Sequence, residues 1–495
     1  MGSAASELIK HPDKFFIGGE WVAPSSDEQI EVITPSTEET FVRVAGAQAA
    51  DINRAVDAAR KAFDQGPWPR MSHAERADYM HRIARKMEER SPALSKIWTS
   101  EMGVTRAVAD PWVPGIASGF DYYASLAQTF PWVERHEALH SPGSAIGLLA
   151  HEPVGVVGAI VPWNGPLVLI TYKLAPALIA GCTVVLKSSP ETPGEGLVMA
   201  EIAEEVGLPA GVINVVTADR EASEVLVRHP GIDKITFTGS TPVGKRIASI
   251  CGERIARCTL ELGGKSAAVI LDDADVETAA ELLSQGARVL SGQVCSNLTR
   301  YIVSRHRHDE FVEALTAAFG RIKVGDPFDM ATDMGPLAMS RQRDRVEGYI
   351  VKGVDEGATL AAGGKRPSHL NRGFFIEPTI FANVDNSMTI AQEEIFGPVV
   401  SVIPADNEAH AVAIANDSVF GLNASVFTED ANRAYEIARQ LRSGTVGHNA
   451  FRSDLSIAFG GFKQSGIGRE GGLDGLRPYL ESKTIILNEV PDQFR

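Results

Sequence analysis

From residue 156 onward the chain alternates short β-branched runs with helical stretches, and this alternation constrains the fold more than any other feature. Strand-like runs fall at 156–161, 183–186, 212–217, 234–238 and 267–271. Helical stretches near 167–180, 194–206, 221–229 and 243–252 separate most of them. Strand, helix and strand repeated at this interval predicts βαβ units, an α/β class and a mostly parallel sheet. Ligands of such sheets sit at the carboxyl ends of the strands, so chemistry is expected just after each run. A second α/β series starts at 300–304 and runs to about residue 449, with a predicted helix at 310–319 and apolar runs at 399–403 and 424–427. Ahead of the alternation, 75–103 reads as two helices. Tyr79, Met80, Ile83, Ala84 and Met87 share one helical face, Ser91-Pro92 signals the second start, and Gly103 stops it. The last run, 483–487, has no helix after it and must pair elsewhere. An exposed apolar edge is a liability, so it is expected to join another subunit.

Two α/β bodies suit a chain of 495 residues, long enough to bury a core without disulfides or metals as staples. Lys plus Arg number 47 against 63 Asp plus Glu, and 47 − 63 = −16. Such an acidic balance disfavours nucleic acid and anionic membranes as partners. Four cysteines, at 182, 251, 258 and 295, are too few for a disulfide framework and point to a reducing, cytoplasmic setting. No Cys-x-x-Cys pair exists, which disfavours structural zinc. The start has no apolar core of signal-peptide length. Gly2 and Ser6 match a loose myristoylation pattern that is too short to predict lipidation. The most apolar region, 154–182, is interrupted by Asn164, Lys173 and several Pro and Gly, short of the ~20-residue span of a membrane helix.

Several residues carry candidate chemistry, each with a plainer reading beside it. Cys295 lies in Gly292-Gln293-Val294-Cys295-Ser296-Asn297, where Gly and polar neighbours suit a thiol at a cavity. Free cysteines are more often small buried hydrophobes, the reading kept for Cys182, Cys251 and Cys258. Glu261, between Leu260 and Leu262 and before Gly263-Gly264-Lys265, sits at a predicted strand end. Burial there would raise its pKa and make it a better base near neutral pH. An outward-facing glutamate is the alternative, but tandem glycines let another backbone or a ligand approach. Phe237-Thr238-Gly239-Ser240, with Gly244, follows a strand and opens a helix, as a pyrophosphate site requires. Its Gly-x4-Gly spacing is not the dinucleotide fingerprint, and many strand–helix turns hold two glycines for steric reasons. Pro162-Trp163-Asn164-Gly165-Pro166 is either a turn or the carrier of an amide aimed at a developing oxyanion. Lys187 ends a strand, within reach of a cofactor's ribose or phosphate, or is a surface lysine. His306 and His308 lie between arginines, and no metal is expected there.

Taken in order, these motifs resemble one family over nearly the whole chain, the aldehyde dehydrogenases. Further matching runs are Phe16-Ile17-Gly18-Gly19-Glu20-Trp21, Glu393-Glu394-Ile395-Phe396-Gly397-Pro398 and Phe459-Gly460-Gly461-Phe462-Lys463-Gln464-Ser465-Gly466. The resemblance implies a Rossmann-like cofactor domain (1–131 and 153–263), an α/β catalytic domain (264–470) and a small β oligomerisation element (132–152 and 478–495). The last implies a homodimer or homotetramer and gives the final strand a place. It also implies that Cys295 is the nucleophile, Glu261 the general base, and Asn164 an oxyanion donor beside the Cys295 backbone N–H. Gly239, Ser240 and Gly244 would serve the pyrophosphate, Lys187 the adenosine ribose, and Glu394, Phe396 and Trp163 the nicotinamide side of NAD. Gly165, Tyr172, Tyr122, Tyr123, Val294 and Phe459 would line the substrate funnel. The implied chemistry is thiolate attack on an aldehyde, loss of hydride to NAD(P), and hydrolysis of the thioester by water that Glu261 activates.

Where many members have Lys-Pro-x-Glu, this chain has Lys187-Ser188-Ser189-Pro190. The carboxylate expected at the adenosine ribose is absent at Pro190, so NAD is expected with NADP possible. A roomy, apolar funnel implies a medium apolar or aromatic aldehyde. An inward-facing Arg452 would instead imply a carboxylated semialdehyde. A coenzyme-A-acylating enzyme and a cofactor-independent thiol hydrolase are alternatives within enzymes. Glu261 argues against the first, because an acylating enzyme needs no hydrolytic base, and Glu394 with Phe396 against the second. A binding protein that has lost activity is a further alternative, disfavoured by retention of Cys295, Glu261 and Asn164.

Overall fold

The computed structural model describes residues 7–495, so Gly2 and Ser6 lie outside the described residues. Five buried strands form the heart of an eight-stranded sheet, in the spatial order Arg257–Glu261, Lys234–Thr238, Val156–Ile160, Thr183–Ser188 and Ile213–Thr217. All four junctions between them are parallel. Four of the five are buried at every residue, which is why they read as continuous apolar or β-branched runs. The helices Pro166–Ala180, Gly194–Glu205, Arg220–Arg228 and Thr241–Arg254 supply the crossovers. Val184 and Leu186 face one apolar cluster, and Val185 and Val216 face the other. Strand order reverses between Val156–Ile160 and Lys234–Thr238, which opens a crevice at their carboxyl ends.

The run at 267–271 lies in a different sheet from the four runs before it. As Ser266–Ile270 it lies inside a second, seven-stranded sheet, between Leu298–Ser304 and Asn423–Phe427. The reason is connection length. Only residues 262–265 separate it from Glu261, and a parallel return to the same sheet needs a crossover of a dozen or more residues. The chain therefore steps from one sheet into the other at Gly263-Gly264.

The helices His73–Glu89 and Ser91–Met102 match the expected pair, with Met80, Ile83, Ala84 and Met87 buried and Gly103 closing the second at φ +85°. Ser91 is already inside the first turn, and Arg90 takes the cap position. The final strand, Leu480–Leu487, pairs on one side within its own chain, with the 132–152 segment. It runs antiparallel to Ile146–Pro153 along its whole length, and Val133–His136 completes a three-stranded sheet. Among the described residues its outer edge has no partner strand, and Ile486 is half exposed. Among the described residues no helix is long and apolar enough to cross a membrane.

Candidate active site

Cys295 is presented by a loop with an unusual backbone. After the helix Val276–Arg288, three successive residues are left-handed: Leu290 (φ 50°), Ser291 (φ 53°) and Gly292 (φ 73°). Such φ values are costly for Leu and Ser and persist only where the surroundings over-determine them. Here buried hydrogen bonds do so. Ser291 Oγ donates to Gly335 O at 2.8 Å, Gln293 Nε2 to Leu290 O at 2.9 Å, and Ala338 N to Gln293 Oε1 at 3.0 Å. The Asn164 side chain joins the same loop, its Nδ2 donating to Gln293 O at 3.0 Å. Trp98 Nε1 in turn donates to the Asn164 carbonyl at 3.0 Å.

The tandem glycines explain how the groups come together. A Cβ on Gly264 would lie 2.3 Å from the Cys295 carbonyl oxygen, and one on Gly263 would lie 2.5 Å from Glu394 Oε2. Glu261 ends its strand one step earlier, 2% exposed, with no hydrogen-bond partner for either carboxyl oxygen. Burial, and next the neighbouring Glu470, push its pKa well above the usual carboxylate range, while Lys173 and Arg469 partly oppose this. The Cys295 thiol is pushed up to about 12 by burial and by the Glu394 and Glu261 carboxylates; backbone N–H groups of Ser296 and Cys295 work the other way. Sulfur, Glu261, Glu394 and Asn164 thus share one small volume at the junction of the two sheets.

Two residues of this volume were not singled out from sequence. Lys173, fully buried in the helix Pro166–Ala180, pairs with the equally buried Glu470 and donates to Thr238 Oγ1 at 2.7 Å. Glu470 is held by a bridge to Phe459, and its Oε2 has no partner. A lysine inside an apolar run was the available signal. Its counter-ion is 297 residues away in the chain.

The crevice at the strand reversal holds the expected cofactor residues. Ser240 stands at the cap position of Thr241–Arg254 with its side chain not engaged in a cap bond, and Thr241 Oγ1 is buried without a partner. Gly244 lets the helix approach Leu262, whose Cδ2 would lie 2.4 Å from a Cβ there. Gly239 precedes the cap, and its N–H donates to Glu261 O at 3.0 Å. Lys187 is buried at the end of its strand, and no carboxylate is in ion-pair contact with it among the described residues. Burial lowers it to about 8, with Glu191 and Asp219 opposing. A buried unpaired cation, an orphaned Ser188 Oγ and a helix N-terminus with unpartnered hydroxyls fit an anionic dinucleotide. The carboxylate missing at Pro190 has a neighbour: Glu191, the next residue, accepts from Ser189 Oγ and pairs with Arg341. Farther along, Glu394 accepts from Gly264 N at 3.2 Å and burial raises it to about 7. Phe396, strained at φ 60°, meets Trp163 edge-on at 5.3 Å. Gln342 Nε2 donates to Phe396 O at 2.6 Å, and an Arg345 N–H to Glu394 O at 2.6 Å, holding that turn.

Of the residues expected at the funnel, Tyr172 stacks on Phe459 at 6.1 Å, and Tyr122 and Val294 are partly buried. Gly165 faces open space: a Cβ there would meet only Val168 Cγ1, at an ordinary 3.4 Å. Tyr123 needs correction. It is 1% exposed and its hydroxyl donates to Gly472 O at 3.1 Å, so it packs behind Tyr122 as core. Helical geometry turns adjacent residues about 100° apart, so Tyr122 and Tyr123 cannot share one face. Arg452 is exposed and makes no ion pair among the described residues. His308 is buried with Nε2 accepting from Asn383 N, whereas His306 is exposed beside Asp272.

Comparison with known proteins agrees with this geometry. The model of the aldehyde dehydrogenase family matches residues 21–485. The chain is 44% identical to a geranial dehydrogenase of Castellaniella defragrans, covering 95% of this chain and 98% of that one. Among solved structures, it resembles a Mycobacterium tuberculosis aldehyde dehydrogenase complexed with NAD+, with TM-score 0.93 and 46% identity over 96% of this chain and 98% of that one. It is also similar to a mutant of aldehyde dehydrogenase C from Pseudomonas syringae in complex with NAD+ and octanal, with TM-score 0.93 and 40% identity over 98% of each. Motif order, the two-sheet architecture and these matches lead to one conclusion: the chain belongs to the aldehyde dehydrogenase family.

Proposed function

We propose that this protein oxidises a medium-length apolar or aromatic aldehyde to its acid, with NAD as acceptor. The observation that carries the reading is that Glu261 and Glu394 act on the Cys295 thiol while Asn164 holds the loop that presents it. Cys295 attacks the aldehyde carbon as its thiolate, its proton having passed to solvent, so that Glu261 stays free for the second half of the reaction. Asn164 and the Cys295 backbone N–H donate to the alkoxide that forms, and because the loop is already pinned they need not reorganise. Ser240, Gly239 and Gly244 would hold NAD at its phosphates, Lys187 at its ribose, and Glu394, Phe396 and Trp163 at its other end, where it would supply the hydride acceptor. Glu261 then draws a proton from water, whose oxygen attacks the resulting thioester on Cys295 and releases the acid.

Glu191 beside Lys187 puts a carboxylate where a 2′-phosphate would be repelled, which supports NAD over NADP. The open space at Gly165 and the Tyr172–Phe459 stack support a bulky apolar substrate, and the exposed Arg452 gives no buried anchor for a carboxylate. The step between sheets at 263–264 supports the division into 1–131 with 153–263 and 264–470. The open outer edge of Leu480–Leu487 supports an oligomerisation element of 132–152 with 478–495 in a homodimer or homotetramer. Four free thiols suit the cytoplasm.

An initial-rate panel with NAD and NADP tests this reading. Octanal and geranial are expected to exceed a succinate-type semialdehyde in kcat/KM by about tenfold or more. A semialdehyde preferred over both, or acyl-coenzyme A as the product when coenzyme A is added, would overturn it.

A further inference from the structure

Cys251 and Cys258 take no part in the chemistry above, yet the fold brings their sulfurs together. Cys251 lies in the last turn of the helix Thr241–Arg254 and is 1% exposed. The chain reverses at Ile255, which is left-handed at φ 57°, and Ala256 N donates back to Cys251 O at 2.9 Å. Cys258 follows as the second residue of Arg257–Glu261, paired with Ile235 and partly exposed. Cys251 belongs to one apolar cluster and Cys258 packs against it, close enough for each thiol to act on the other. Two cations stand nearby. Arg254 is fixed by donation to His229 O at 2.7 Å, and buried Lys234 by donation to Thr259 Oγ1 at 2.7 Å.

We propose that Cys251 and Cys258 are a peroxide-oxidisable dithiol, a modification site distinct from Cys295, that closes to a disulfide between this helix and the strand bearing Glu261. The order of events follows from exposure and charge. Cys258 is the more accessible sulfur, and the neighbouring Cys251 thiol, with the Lys234 ammonium, lowers it to about 7. Its thiolate attacks one oxygen of hydrogen peroxide, the O–O bond breaks, and a sulfenic acid forms with release of hydroxide. The Cys251 sulfur then attacks the Cys258 sulfur and expels that oxygen as water, taking up the Cys251 proton. In sum, two thiols lose two protons and two electrons, and one peroxide becomes two waters.

The test uses the full chain, reduced, freed of reductant and treated with hydrogen peroxide at one equivalent per chain. The expected product has lost about 2 Da. Trypsin digestion without reduction is expected to give one species joining the Cys251 peptide to the Cys258 peptide, separated again by dithiothreitol. In Cys251→Ser the reaction is expected to stop at a sulfenic acid on Cys258 that dimedone traps. Two outcomes would overturn the proposal. One is oxygen added at Cys295 while Cys251 and Cys258 both stay alkylatable, and the other is a disulfide joining different cysteines.

Discussion

Asn164→Ala isolates the oxyanion contribution, and its size can be worked from the geometry. The Asn164 amide nitrogen carries two hydrogens, of which one is engaged by Gln293 O at 3.0 Å. The other is the donor available to an alkoxide on the Cys295 substrate, alongside backbone N–H groups that the substitution leaves in place. Losing one donor of such a set costs about 10²–10³ in rate, or about 2.7–4 kcal/mol of transition-state stabilisation. The variant also leaves the fully buried Gln293 carbonyl without its partner, which costs about 1–3 kcal/mol of stability. The two effects separate experimentally. Stopped-flow formation of NADH under single-turnover conditions reads the first, and a thermal melt with a cofactor-fluorescence titration reads the second. We expect a 10²–10³-fold slower first turnover, a modest fall in melting temperature and unchanged NAD affinity. A first turnover within about threefold of the parent, in a protein that melts normally, would refute the assignment of Asn164 to the alkoxide.

Lys173→Met should destabilise the protein by about 3–5 kcal/mol, read by denaturant or thermal melting, because Glu470 would keep its buried charge without a partner. Adding Glu470→Gln should recover much of that loss. Since the base form of Glu261 is populated only above its raised pKa, steady-state kcat should still be climbing with pH well above the usual carboxylate range. In Lys173→Met, where the charge that lowers Glu261 is gone, the climb should move to higher pH; an unmoved profile would separate Lys173 from Glu261.

Much of the cofactor sheet was legible in the sequence because its strands are buried on both faces. The run at 234–238 became the strand Lys234–Thr238. The sheet change at Gly263-Gly264 was not legible from periodicity, since an apolar run looks alike in either sheet; only the four-residue connection reveals it. Cys295, Glu261 and Asn164 could be read because each sits in a short run with a distinctive pattern, and folding brings those runs together. Lys173 and Glu470 could not be paired in advance, because no local pattern links a helix interior to a loop 297 residues on. Tyr123 was misplaced by sequence adjacency to Tyr122, although one helical step separates a wall residue from the core behind it. At the ribose corner, reading by position found Pro190 and missed that Glu191 turns back toward Lys187 through Ser189 and Arg341.

A sulfur that carries the acyl group until Glu261 frees it is the centre of this account, and intact-mass spectrometry of Glu261→Gln reads that state directly. After mixing with NAD and octanal, the account predicts one equivalent of NADH per active site and a chain heavier by one octanoyl group, mapped to the peptide holding Cys295. Stoichiometric NADH with the chain mass unchanged, or an acyl group found on any other residue, would contradict it.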